Sequence, residues 1–331
     1  MFRQKRKFCS LLVLIFLSFS FSAMANKDYL VPQVTAVSKM AKADKAAVKL
    51  GKMLFFDPRL SGSNWISCAT CHNPARGWSD GLPTAIGHGM TKLGRATPTI
   101  LNTTFNPVQF WDGRATTLEE QALGPIQAAG EMNQNLDELV RELNEIKGYR
   151  KAFKKVYGDE GITKANIGKA IAAYERTITS TESKFDRWIS GKEKSLSKAA
   201  SRGFKLFEGK AACVSCHSGF NFTDNRFHNL GLKGTEDLGR MAVSQNEKDK
   251  GAFKTPTLRD VELTAPYMHN GMYATLEDVV EHYDRGGDAK ENLSPLMQPL
   301  NLTKREKADL VAFMKSLTGK AQKVSLPQLP N

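Results

Sequence analysis

Apolar residues recur at helical spacing along much of the chain. From Ile167 to Ile178, from Asn135 to Ile146 and from Lys304 to Leu317 they fall three and four apart, the period that lines one face of an α-helix. Runs that alternate apolar with polar, as a half-buried strand requires, are scarce. The pattern predicts a mainly α fold. Between the helical segments lie long Gly-, Pro- and Asn-rich stretches, above all Asn73 to Asn102 and Ser218 to Asp260. Connections of that length are uncommon in a compact domain unless they serve a site. They are expected to wrap over a bound group that replaces part of the missing core, and the C-terminal Pro327 to Asn331 is expected to fray.

The first residues read differently. Arg3, Lys5, Arg6 and Lys7 precede an apolar run from Leu11 to Phe21 that ends in Ala23-Met24-Ala25, the pattern of a secretory signal peptide over residues 1–25. The run is too short to span a bilayer, and nothing later approaches the roughly 18 apolar residues a membrane helix needs. No membrane span is expected, and the mature chain should begin near Asn26 in the periplasm. Residues 26 to 331 exceed what one core usually serves, so two domains are expected, 26–190 and 191–331.

A duplication supports that division. Ala47-x-x-x-Gly51-x-x-Leu54-Phe55 precedes one cysteine pair, and Ala199-x-x-x-Gly203-x-x-Leu206-Phe207 precedes the other. Ser79-Asp80 follows the first pair and Thr223-Asp224 the second. Further on, Thr97-Pro98-Thr99 matches Thr255-Pro256-Thr257, Trp111-Asp112-Gly113 matches His269-Asn270-Gly271, and Thr117-Leu118-Glu119-Glu120 matches Thr275-Leu276-Glu277-Asp278, always 158 residues apart.

The cysteines carry the chemistry. Cys9 leaves with the signal, and the other four stand in Cys68-Ala69-Thr70-Cys71-His72 and Cys213-Val214-Ser215-Cys216-His217. In C-x-x-C-H the two thiols add to the vinyl groups of a haem and the adjacent histidine ligates its iron. A zinc site would want its two pairs roughly 15–20 residues apart, whereas 141 residues separate these. A thioredoxin-like redox pair would leave the histidine after both motifs unexplained. Two covalent haem c groups are therefore expected, with His72 and His217 as proximal ligands. The opposite ligands decide function, because an iron with two strong protein ligands transfers electrons while an open one activates peroxide. His88, His228, His269 and His282 are the remaining histidines, and each also reads as a plain hydrogen-bonded residue.

Leu54-Phe55-x-Asp57-x-x-Leu60-Ser61, the two haem motifs, Gln109-Phe110-Trp111-Asp112-Gly113-Arg114 and Thr264-Ala265-Pro266-Tyr267-Met268-His269 together resemble the bacterial dihaem cytochrome c peroxidases and MauG-type enzymes, over nearly the whole mature chain. The resemblance implies two tandem cytochrome c-like domains, a peroxidatic first haem and a second haem that relays electrons. It also implies that Trp111, otherwise a plain core tryptophan, couples the two. Peroxide cleavage needs a group that takes a proton from one oxygen and returns it to the other. Gln121-x-x-x-Pro125 followed by Glu131-Met132 matches the family's distal pocket, which makes Glu131 that acid and base and Gln121 its polar neighbour. Without the resemblance Glu131 is one of 34 acidic residues.

Two residues divide the family's branches. His88, in Ile86-Gly87-His88-Gly89, matches the histidine that caps the peroxidatic haem of many resting peroxidases, and MauG-type enzymes lack that cap. Tyr283 matches the MauG-type ligand of the second haem, where peroxidases place a methionine; it lies 158 residues after Pro125. The alternative is a core tyrosine with Met268 or Met272 on the iron. The family also holds calcium between the haems through an Asn side chain and two backbone carbonyls. The carbonyls correspond to Thr264 and Pro266, but Ala96 stands in the Asn position.

The resulting expectation is reduction of hydrogen peroxide at the first haem with electrons from a small periplasmic donor such as a c-type cytochrome. The competing readings are a MauG-like oxidase that uses peroxide to modify a partner protein, and a dihaem electron carrier. Glu131 and Gln121 speak against the carrier. The formal charge of +13, which falls to +9 without the four basic signal residues, suits an acidic partner. The export signal disfavours nucleic acid. The resemblance allows a homodimer, for which the residues offer no interface.

Overall fold

A computed structural model describes residues 27–32 and 41–331, so the expected signal segment lies outside the described residues. The chain is mainly helical. Its first half carries α1 (Lys42–Phe55), α2 (Cys68–Cys71), α3 (Leu118–Gln127), α4 (Leu136–Glu145), α5 (Lys147–Tyr157) and α6 (Lys164–Glu175). The second half carries α7 (Lys184–Ile189), α8 (Lys198–Glu208), α9 (Met241–Ser244), α10 (Leu276–Asp284) and α11 (Lys304–Ser316). The one sheet among the described residues is a short ribbon in which β1 (Phe227–His228) pairs antiparallel with β2 (Phe253–Lys254).

The sequence repeat is a structural repeat. α1 crosses α6 as α8 crosses α11. A glycine sits at each crossing because the opposing backbone leaves no room for a side chain. A Cβ on Gly51 would lie 1.7 Å from the Ala170 carbonyl oxygen, and one on Gly203 would lie 1.9 Å from that of Asp309. α3 and α10 begin alike, with the Thr117 hydroxyl accepting from the Glu120 N–H and the Thr275 hydroxyl from the Asp278 N–H. The Thr-Pro-Thr copies clamp the loops that follow the cysteine motifs. Thr99 Oγ1 donates to the Gly77 carbonyl at 2.6 Å, and Thr257 Oγ1 donates to that of Asn221 at 2.7 Å.

Each half has its own core. Leu54, Phe55, Leu139, Phe153 and Ile171 are fully buried in the first, and Phe185, Phe207, Phe222 and Phe313 form an aromatic cluster in the second. The termini cross over. Tyr29 packs into the second core, stacked on Phe222 with ring centroids 5.3 Å apart. Phe185 and Ile189, on the N-terminal side of residue 190, pack there too. In the opposite direction the C-terminal tail returns to the first half, where Val324 and Leu329 pack on its core. The Pro330 carbonyl accepts from Arg59 Nη2 at 3.0 Å, and that of Asn331 accepts from the Gly148 N–H at 3.1 Å. The expectation that Pro327 to Asn331 frays is therefore overturned. Composition alone cannot show that exposed carbonyls will find donors on another domain.

The crossing predicts that Gly51→Ala lowers stability by about 1–3 kcal/mol or more, as overpacking against rigid backbone does. Lys49→Ala, at an exposed position of the same helix, should change stability by less than about 0.5 kcal/mol. Thermal unfolding of both variants with their haems attached checks this, and equal midpoints would remove the crossing from the account.

Candidate functional site

Both cysteine motifs open onto one cavity of about 890 Å³ between the two halves. The two motifs fold alike at their ends: the His72 N–H donates to the Cys68 carbonyl at 2.8 Å, and the His217 N–H to that of Cys213 at 2.9 Å. Ser67 and Thr70 cap the first turn reciprocally. No disulfide joins the four cysteines, and all line the cavity with His72 and His217.

Each histidine is held by backbone carbonyls. His72 Nδ1 lies 3.0 Å from the Trp78 oxygen and His217 Nδ1 lies 3.0 Å from the Phe222 oxygen. A carbonyl only accepts, so Nδ1 carries the proton in both rings and Nε2 is left as the base, the tautomer a metal takes. Burial pushes both imidazoles below their ordinary pKa and keeps them neutral. Paired thiols beside a neutral imidazole with a free Nε2, twice over on one cavity wall, fit two haem c groups.

The two ends of the cavity differ in chemistry. Gln121, Pro125 and Glu131 line the first, and the residues 158 further on, Val279, Tyr283 and Ala289, line the second. Burial raises the Glu131 carboxyl above the usual carboxylate range, with Arg114 pulling it back down. Burial and the nearby Cys216 and Cys213 sulfurs raise the Tyr283 phenol. Met268 is also on the wall, whereas Met272 is exposed and absent from it.

Trp111 stands between the ends. Its Nε1 donates to the Ala96 carbonyl at 2.9 Å, and its own carbonyl accepts from the Lys254 N–H at 2.7 Å. The Ala96 N–H in turn donates to the His269 carbonyl at 2.7 Å, so these bonds run from one half to the other. Thr264 and Pro266 line the cavity, but Ala96 brings no side-chain oxygen to them.

His88 lies off the wall, which takes Gly87 instead. Its Nδ1 is buried without a hydrogen-bond partner. Its backbone N–H donates to the carbonyls of Gly130 (3.1 Å) and Glu131 (2.8 Å), tying this loop to the segment that carries Glu131. Gly87 is packed against Gly130, whose carbonyl oxygen would lie only 1.9 Å from a Cβ placed there, while Gly89 faces open space. Two other histidines are taken up in hydrogen bonds. His282 is fully buried between the Leu230 carbonyl and the Tyr273 hydroxyl, and His228 pairs with Asp224 at 2.9 Å.

Of three further wall residues, only His269 had stood in a motif. Lys254, pushed down to about 8 by burial, stands 158 residues after Ala96, so the repeat could have marked it. His269 stacks on Phe253 with centroids 3.6 Å apart and is pushed down to about 4 by burial. Glu175 is buried and has no partner for Oε2.

Comparison with known proteins agrees with this geometry. Residues 45–194 match the family model for di-haem cytochrome c peroxidase, and residues 200–318 match that for cytochrome c. The chain is 48% identical over 286 residues to methylamine utilization protein MauG of Methylorubrum extorquens, covering 86% of this chain and 81% of that one. It is 41% identical to cytochrome c551 peroxidase of Nitrosomonas europaea, covering 85% and 83%. A solved MauG-like protein associated with microbial copper homeostasis superposes with a TM-score of 0.79 at 32% identity, over 88% of this chain and 94% of that one. The two cytochrome c domains imply two haem c groups, and the chain belongs to the di-haem cytochrome c peroxidase family of haem-dependent oxidoreductases.

Proposed function

We propose that this protein reduces hydrogen peroxide to water in the periplasm, at a haem held by Cys68, Cys71 and His72. Electrons come from a small c-type cytochrome through a second haem held by Cys213, Cys216 and His217. The observation that carries the reading is the asymmetry of the cavity: a half-buried carboxyl and an amide at one end, Ala289 and Val279 at the matching points of the other. When bound, the first haem supplies the iron that polarises and splits the oxygen–oxygen bond. Glu131 accepts the proton of the near oxygen and returns it to the far one, and a pKa raised toward the working pH suits it to both steps. Gln121 orients the peroxide. Trp111 carries electrons across the seam through the chain of bonds it anchors.

Tyr283 would be the residue that holds the iron of the second haem together with His217, supported by its burial beside the Cys213 and Cys216 sulfurs. Met268 is the rival. Calcium has no step in this scheme, because Ala96 removes one of the three protein oxygens with which the family holds the ion, leaving only the carbonyls of Thr264 and Pro266. Tyr283 on the wall and His88 off it favour a second reading, a MauG-like oxidase that draws its electrons from a partner protein.

Glu131→Gln should keep both haems and lose peroxide turnover by about 10²-fold or more. As a base Glu131 works ionised, so wild-type turnover should fall as pH drops through its raised pKa, and the variant should lose that limb. Undiminished turnover in the variant removes Glu131 from the mechanism.

The donor separates the two readings. Rapid steady turnover with a reduced c-type cytochrome is expected. Turnover confined to artificial donors, with no need for prior reduction in the wild type or in His88→Gly, establishes the oxidase instead.

For the second haem, the oxidised protein should lack the near-infrared band of methionine-ligated iron, and Tyr283→Phe should raise its potential. A methionine-type band that disappears in Met268→Ala overturns the tyrosine assignment.

A further inference from the structure

The structural repeat pairs residues that the sequence does not align. Gly51 meets the Ala170 carbonyl and the Tyr174 Cβ, at 1.7 and 3.0 Å from its own Cβ position; Gly203 meets the Asp309 carbonyl and the Phe313 Cβ, at 1.9 and 2.8 Å. Ala170 and Tyr174 of α6 are thus the counterparts of Asp309 and Phe313 of α11, and the next residues, Glu175 and Met314, correspond. Both line the cavity. At one point of the same scaffold the second domain presents a thioether and the first a carboxyl.

That carboxyl is 3% exposed, and its Oε2 is enclosed with no hydrogen-bond partner among the described residues. It lies close enough to Cys68 to raise that thiol, which places it beside the attachment point of the first haem. The charged groups that act on it are Arg176, at the end of α6, and Glu119 of α3, and these two pair with each other at 2.9 Å. α1 sets no charge against it, and Cys68 ceases to titrate once it is bound as a thioether. Burial pushes Glu175 up to about 8. The catalytic scheme leaves it without a role.

We propose that Glu175 is the proton acceptor coupled to reduction of the first haem. When that haem is reduced, Glu175 takes one proton from water; when it is reoxidised, the proton returns to water. The oxidised haem core carries one more positive charge than the reduced one. A carboxylate offsets that charge in the oxidised state, and in the reduced state the same carboxylate would be a buried charge with no counterpart, which favours the neutral acid. The buried wall then keeps a constant net charge through the cycle. Met314 gives the second haem no such group. The proposal needs only a haem at Cys68, Cys71 and His72, and it holds whichever protein donates the electrons.

The test is a spectroelectrochemical titration of the protein with both haems attached, from mildly acid to alkaline pH and without peroxide. The first-haem potential should fall with rising pH at one proton per electron in the wild type and stay level in Glu175→Gln and Glu175→Met. At the acid end Glu175→Gln should match the wild type, because both are neutral there, and the second haem should respond alike in all three proteins. A level wild-type potential, or a slope that survives Glu175→Gln, overturns the proposal. If the variants do not retain haem, the wild-type redox-difference infrared spectrum decides. A protonated-carboxyl band present in the reduced and lost in the oxidised protein supports the proposal, and its absence overturns it.

Discussion

The contact of a glycine with a facing backbone carbonyl, made once in each domain, is the constraint on which the rest of this structure depends. With no side chain at Gly51 or Gly203, α1 lies directly on α6 and α8 on α11. That closeness sets the angle at which the chain leaves each first helix and enters its cysteine motif. It also sets which residues of the last helix reach the cavity. The histidine that ends each motif is then oriented by a backbone carbonyl, that of Trp78 or Phe222, so both imidazoles are held by backbone geometry rather than by side-chain choice.

Function arises where the two copies part company. A shared scaffold presents Gln121, Glu131 and Glu175 at one end of the cavity and Val279, Ala289 and Met314 at the other. Peroxide chemistry consumes protons, and both carboxyls lie at the end of the cavity proposed for it. The low dielectric of the wall enforces the difference, raising the pKa values of both acids by burial. Between the ends Trp111, Ala96 and His269 form a short chain of hydrogen bonds across the seam. The crossing termini add to the same seam, with Tyr29 in the second core and Val324 and Leu329 on the first.

Much of this was legible along the chain. The helical period at Asn135 to Ile146 and Lys304 to Leu317 found α4 and α11 almost to the residue, because a buried apolar face leaves a regular trace. The cysteine motifs marked the two places on the cavity wall where paired cysteines meet an oriented imidazole, since C-x-x-C-H is a local pattern of residue type and spacing. The 158-residue repeat identified the Thr-Pro-Thr clamps and the paired helix starts at Thr117 and Thr275.

What the sequence could not determine were the relations between distant segments. Arg259 gives no sign in its neighbours that it will be fully buried against Asp186 and the Tyr29 carbonyl. Nor does Pro330 show that its carbonyl will meet Arg59. The correspondence of Glu175 with Met314 falls outside the 158-residue register and emerges only where two helices touch. Local chemistry is written in residue type and spacing. Burial, which decides whether a carboxyl is an ordinary surface acid or a group poised to move a proton, belongs to the packing of all the elements at once.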